Sequence, residues 1–62
     1  MTLTNNGTIT ELSNGLHNNV LNLTNNGTIT TFTNDGNVTD LTNNGTITNL
    51  TNDQNIIDLA NT

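Results

Sequence analysis

Asp35 and Asp53 stand eighteen residues apart, and so do Asp40 and Asp58. A chain that coils with that period would stack each pair. Like charges about 5 Å apart repel, and a bridging Ca²⁺ held with turn carbonyls would relieve the repulsion. These four aspartates are the calcium candidates; the competing reading is solvated turn acids that keep the chain soluble. Other chemistry is scarce. There is no Cys, so no thiolate metal site and no disulfide. His17 is the only histidine and Ser13 the only serine, and no second His or acid accompanies either in a nucleophile–base arrangement. The chain is therefore expected not to be an enzyme and to carry no cofactor.

Two further surface patterns could contact something. The pairs Thr8/Thr10, Thr28/Thr30 and Thr46/Thr48 would make a two-column array on one flat side, spaced about 6.7 Å along a strand and about 4.8 Å between strands. Thr-x-Thr arrays of this kind resemble the ice-binding faces of insect antifreeze solenoids, which are usually Cys-rich. The plainer reading is that Thr suits a solvent-facing strand. Six Asn-x-Thr sequons occur, at Asn6, Asn22, Asn26, Asn37, Asn44 and Asn49. That is only slightly more than chance placement gives in a chain with 16 Asn and 15 Thr.

The elements that must position these residues follow from the repeat. Units start at Leu3, Leu12, Leu23, Phe32, Leu41, Leu50 and Leu59, all nine residues apart except for the eleven between Leu12 and Leu23. Two residues are inserted within 14–18, and a bulged turn is expected there. Column one of the unit is always Leu or Phe. Column three is always Asn: Asn5, Asn14, Asn25, Asn34, Asn43, Asn52 and Asn61. Column seven is Ile or Val: Ile9, Val20, Ile29, Val38, Ile47 and Ile56. Column six alternates Thr and Asn, so the deeper period is two units, or eighteen residues.

Thr, Asn and Gly are poor helix formers, and no stretch has a helical apolar stripe. Thr-Ile-Thr reads as strand with one residue inward, and Asn-Asn-Gly and Asn-Asp-Gly read as turns in which Gly and Asn tolerate positive φ. An antiparallel stack would misalign like columns, whereas a parallel coil aligns each with its copy one turn away. The expected fold is all-β: a parallel β-solenoid (β-helix) with eighteen residues per turn, about three turns, filling residues 1–62 as one domain. Each nonapeptide, begun at its leucine, is expected to form one side. Columns one and seven, Leu3, Ile9, Leu12, Val20, Leu23, Ile29, Phe32, Val38, Leu41, Ile47, Leu50, Ile56 and Leu59, would fill the interior. The column-three asparagines would stack as a hydrogen-bonded ladder, since buried amides need partners.

The strings NNGTIT and TNDGNVTDLTNNGTIT resemble the Asn/Thr/Gly-rich solenoid repeats of bacterial surface adhesins of the filamentous-haemagglutinin kind. The resemblance implies a right-handed parallel β-helix, extracellular or cell-surface display, and an adhesive or structural role. Calcium-binding nonapeptide repeats share the length of nine, but their glycine pair and inward Asp are missing here. The C-terminal LTNDQNIIDLANT echoes bacterial leucine-rich repeats, whose repeat is longer.

Composition limits the partners. Lys and Arg are absent and the formal net charge is −5, which disfavours nucleic acid and anionic membranes. No segment is long and apolar enough to insert in a bilayer. With 29% apolar residues and one aromatic, the core is small, and scaffolds of this size normally need a staple or association. Neither end of the sequence offers a polar cap for its strand edges. The expected role is thus a self-assembling subunit of an extracellular filament, whose partner is itself, stacked head-to-tail. The alternatives are an ice-binding solenoid and a segment of a longer adhesin array. The sequence names no carbohydrate or surface target.

Overall fold

The computed structural model describes residues 1–62, the side chain of Leu21 excepted. The chain forms seven strands: β1 (Thr2–Asn5), β2 (Thr8–Asn14), β3 (Asn19–Asn25), β4 (Thr28–Asn34), β5 (Asn37–Asn43), β6 (Thr46–Asn52) and β7 (Asn55–Asn61). They alternate between two parallel sheets, one ordered β1-β3-β5-β7 and the other β2-β4-β6. Two strands make one turn, so the chain is a parallel β-solenoid of about three turns. Like columns stack throughout: Leu3, Leu23, Leu41 and Leu59 in one sheet, Leu12, Phe32 and Leu50 in the other. The offset between stacked strands is 20 residues from β1 to β3 and from β2 to β4, then 18. The two inserted residues lie between β2 and β3, inside both of the longer intervals.

Strand boundaries correct one expectation. LTNNGTIT is not one side of the coil. Its Leu-Thr-Asn ends one strand, its Asn-Gly turns the corner, and its Thr-Ile-Thr begins the strand opposite. Each side therefore runs from column six through column three of the next unit. Sides beginning Thr-Ile-Thr form the three-stranded sheet, and sides beginning with Asn form the four-stranded one, apart from the short β1. The eighteen-residue period is the alternation of these two sheets.

Within a strand the inward residues are columns seven, one and three, as in β4, where Ile29, Phe32 and Asn34 are buried. Two residues, columns eight and nine, separate the first two. A flat strand alternates faces strictly, so the strand must bend where two successive residues face out. The paired positions pass over column eight (Thr10, Thr30, Thr48) and resume at column nine. Five corners have two residues and one has four, residues 15–18. In that longer corner Asn18 N–H donates to Gly15 O at 3.1 Å, and His17 takes a left-handed φ of 67°.

The corner glycines correct a second expectation. None has positive φ. Gly27, Gly36 and Gly45 are needed because each lies directly against the corner of the preceding turn. A Cβ on Gly27 would sit 2.0 Å from Gly7 O, and one on Gly45 would sit 2.0 Å from Gly27 O. The same close approach carries hydrogen bonds along the axis: Thr28 N–H to Gly7 O at 2.8 Å and Thr46 N–H to Gly27 O at 2.9 Å.

The two sheets face each other across a core of Val20, Leu23, Ile29, Phe32, Val38 and Leu41, with Leu3, Ile9, Leu12, Ile47 and Ile56 half-buried around it. Leu50 and Leu59 depart from the interior role expected of column one: they are 41% and 56% exposed. They stack on the buried Phe32 and Leu41, so their columns face inward. They belong to β6 and β7, however, and among the described residues no strand lies on the far side of either. The matching residues at the other end, Leu3 and Leu12, are half-buried.

Candidate functional site

The column-three asparagines converge into two interior ladders, one at each row of corners. In the first, Nδ2 of Asn5 donates to Oδ1 of Asn25 at 2.8 Å, Asn25 to Asn43 at 2.9 Å, and Asn43 to Asn61 at 2.9 Å. In the second, Asn14 donates to Asn34 and Asn34 to Asn52, both at 2.8 Å. Asn ends each strand and faces inward beside the corner, so its short amide also reaches the corner backbone. Asn25 Nδ2 meets Gly27 O at 3.2 Å and Thr46 O at 3.0 Å. Asn34 meets Gly36 O at 2.9 Å and Asn55 O at 3.2 Å. At the long corner Asn14 takes Asn18 O at 3.3 Å as its local acceptor, so the insertion leaves the ladder intact. Among the described residues no buried side-chain polar atom lacks a partner, which is what makes buried amides tolerable in so small a core. Asn5, Asn14, Asn25, Asn34 and Asn43 are buried; Asn52 and Asn61 are exposed because they end the ladders on the uncovered strands β6 and β7.

Two more ladders lie on the surface, and sequence reasoning missed them. Asn26 donates to Asn6 and Asn44 to Asn26, both at 2.9 Å, and Thr62 Oγ1 donates to Asn44 Oδ1 at 3.1 Å. Asn37 donates to Asn19 at 3.0 Å and Asn55 to Asn37 at 3.2 Å. The signal was present: Asn recurs in column four at Asn6, Asn26 and Asn44, and in column six at Asn19, Asn37 and Asn55. It looked like turn composition and like a marker of one side.

The ladders are directional. In both interior ladders each N–H points toward the C-terminal end of the coil; in both surface ladders it points toward the N-terminal end. The two ends therefore present unlike faces. At the N-terminal end the interior ladders finish on the amide oxygens of Asn5 and Asn14. At the C-terminal end they finish on the amide nitrogens of Asn52 and Asn61, beside the exposed Leu50 and Leu59. A shallow cavity of about 180 Å³ there is lined by Asn43, Ile47, Leu50, Leu59 and Asn61.

The acidic pairs lie on the outside. Asp40 and Asp58 are in register on β5 and β7. Asp35 and Asp53 occupy stacked corners, and a hydrogen bond between their carboxyls holds the Asp35 carboxyl above the ordinary value of 3.8, with desolvation and the Asp53 charge adding to the rise. Among the described residues no three His, Asp or Glu side chains gather at one place, so each aspartate pair offers two carboxylates and no third acidic ligand. Thr8, Thr28 and Thr46 stack in register on the three-stranded sheet, and Thr10, Thr30 and Thr48 are exposed beside them at the bend. His17 is exposed in the long corner, and Ser13 is exposed on β2. Comparison with known proteins finds no matching family model, no matching curated protein and no matching solved structure.

Proposed function

We propose that this chain is a structural subunit that stacks head-to-tail with copies of itself into a β-solenoid filament, outside the cell or at its surface, with no catalytic role. The observation that carries the reading is the pair of unlike, complementary end faces. One offers the amide oxygens of Asn5 and Asn14. The other offers the amide nitrogens of Asn52 and Asn61 around the inward-facing but exposed Leu50 and Leu59. Open parallel strand edges template further strands. A contact between two different faces is heterologous and continues without closing into a ring when it repeats along one axis. The extracellular setting is supported by the resemblance to surface-adhesin repeats. Negative-stain microscopy of the concentrated 62-residue chain should show unbranched fibres. A monodisperse monomer by light scattering at the same concentration would overturn the reading and favour the alternative, in which these faces meet further coils of a longer array.

The second reading is ice binding through the threonine columns, favoured by the register of Thr8, Thr28 and Thr46 and the exposure of Thr10, Thr30 and Thr48. Inhibition of ice recrystallisation that disappears in Thr30→Tyr would support it. Absence of inhibition in the unsubstituted chain would remove it.

A further inference from the structure

We infer that successive copies meet through a half-turn screw, with β1 of the next copy seated on β6 and its β2 seated on β7; this rests on the head-to-tail reading above. The argument begins with the strand count. One sheet holds four strands and the other three, so β7 extends one sheet half a turn beyond β6. The lowest open strand position at that end lies over β6, against Leu50.

A copy added without rotation would place its β1 over β7, in the four-stranded sheet. Its β2 would then lie two strand levels above β6. One strand position over Leu50 would stay empty, and the ladder ending at Asn52 would be broken. A copy turned by half a turn leaves no strand level empty: its four-residue β1 lies along β6 from Asn49 to Asn52. Its Leu3 and Leu12 then cover Leu50 and Leu59, the two inward-facing leucines left exposed in the single chain. Its Asn5 and Asn14 present Oδ1 to the Nδ2 groups of Asn52 and Asn61, and both interior ladders continue with unchanged polarity. The sheets exchange roles at each joint. This is permissible because both carry the same inward columns, Leu or Phe, then Asn, then Ile or Val.

Gly7 supplies an independent observation. Nothing lies within 4 Å of a Cβ built on it, although its column mates Gly27 and Gly45 would each clash with a carbonyl 2.0 Å away in the preceding corner. In the half-turn joint the corner holding Gly7 of the next copy stacks on the corner of Asp53 and Gln54, and Gly7 acquires the close approach that Gly27 and Gly45 already have. In the unrotated joint the same corner would lie over the end of β7, beyond its last ladder residue Asn61, and Gly7 would not meet the Gln54 corner.

Cysteine pairs distinguish the two joints, since the chain has no Cys of its own. Thr4 and Thr51, and likewise Ala60, occupy the exposed column two, so substitution there leaves the core alone. Stacked positions about 4.8 Å apart lie within disulfide reach. Within one chain, Thr4 and Thr51 are in different sheets at opposite ends, and β1 and β7 are separated by β3 and β5. Neither pair can therefore close internally. Fibres of Thr4→Cys/Thr51→Cys, oxidised and run on a non-reducing gel, should give a ladder of covalent multimers, while Thr4→Cys/Ala60→Cys should stay a monomer band. Gly7→Ala should keep the circular dichroism and melting temperature of the dilute chain yet lose fibre formation. A covalent ladder from the Thr4/Ala60 pair, no ladder from either pair in fibres that do form, or unaltered fibres from Gly7→Ala would each overturn the half-turn joint while leaving head-to-tail assembly standing. A chain that forms no fibres in any variant, the unsubstituted one included, overturns the assembly itself and the joint with it.

Discussion

Replacing Asn34 by Leu tests whether the interior ladders stabilise the coil or merely decorate it. Asn34 is fully buried. It accepts from Asn14 Nδ2 at 2.8 Å and from Gly36 N–H at 3.3 Å. It donates to Asn52 Oδ1 at 2.8 Å, Gly36 O at 2.9 Å and Asn55 O at 3.2 Å. Leucine fills a similar volume and makes none of these bonds. The amide has only two N–H groups, which its three acceptors share, so the side chain makes four full bonds; at about 1 kcal/mol each they come to roughly 4 kcal/mol. Burying the leucine carbons offsets roughly 2 kcal/mol, leaving a net loss of about 2 kcal/mol. A domain of this length is stable by only about 3–9 kcal/mol, so the variant should lose a large share of its stability. Asn52→Leu is the internal comparison. Asn52 occupies the same ladder but is exposed, so water can replace its partners, and its loss should stay under about 1 kcal/mol. Urea titration followed by circular dichroism, at a concentration where the chain is monomeric, reads both. Equal losses for the two variants, or an Asn34→Leu midpoint indistinguishable from the parent, would refute the argument that burial makes these amides costly to leave unpaired.

Asn25→Asp keeps the shape but removes the donors to Gly27 O, Asn43 Oδ1 and Thr46 O; it should cost more than about 3 kcal/mol at neutral pH by burying a charge, with partial recovery in acid once the carboxyl can donate. Phe32→Ala empties the largest buried side chain and should cost about 3–5 kcal/mol, enough to abolish the cooperative melt in dilute solution. Gly45→Ala drives a Cβ to within 2.0 Å of Gly27 O and should lower the melting temperature, in contrast to the open Gly7. The Asp35 carboxyl lies above its ordinary 3.8 because the Asp53 carboxyl hydrogen-bonds to it. The folded state therefore holds a proton there that the unfolded chain releases more readily. That contribution is complete below about pH 3.8 and is lost as pH rises through the elevated folded value. Stability attributable to this pair should rise on mild acidification, and Asp53→Asn should flatten the rise in a pH series of thermal melts.

The parallel coil was legible in the sequence because it depends on column identity, and the columns are nearly invariant. Only in-register stacking rewards Asn at Asn5, Asn25 and Asn43 together with Leu at Leu3, Leu23 and Leu41. The insertion showed itself as the single eleven-residue spacing. The boundaries of the sides were less legible. A corner of two residues leaves no composition shift wider than Asn-Gly, and a repeat reads the same from any starting column. The role of the glycines was hidden for a different reason. Gly27 is glycine because Gly7 O lies against it twenty residues away, and a local window sees only turn propensity. Inwardness was legible for Leu50 and Leu59, but cover was not, because the column tells which way a side chain faces and only the third dimension tells what lies beyond it. The surface ladders of Asn6, Asn26 and Asn44 were concealed by the same ambiguity, since an exposed Asn beside Gly satisfies turn chemistry whether or not it stacks.

The central claim is that each chain contributes its own coil to a continuous solenoid. Mass per unit length of the fibres, measured by scanning transmission electron microscopy, tests it most directly. Seven strands at two per turn and about 4.8 Å per turn advance the axis by about 17 Å per chain. A chain of 6.6 kDa then gives about 4 kDa per nanometre in a single filament. Chains stacked flat in register, each advancing the axis by one strand spacing, would give about 14 kDa per nanometre. The lower figure is the result predicted here. The higher one, or a chain that stays monomeric when concentrated, would contradict the account.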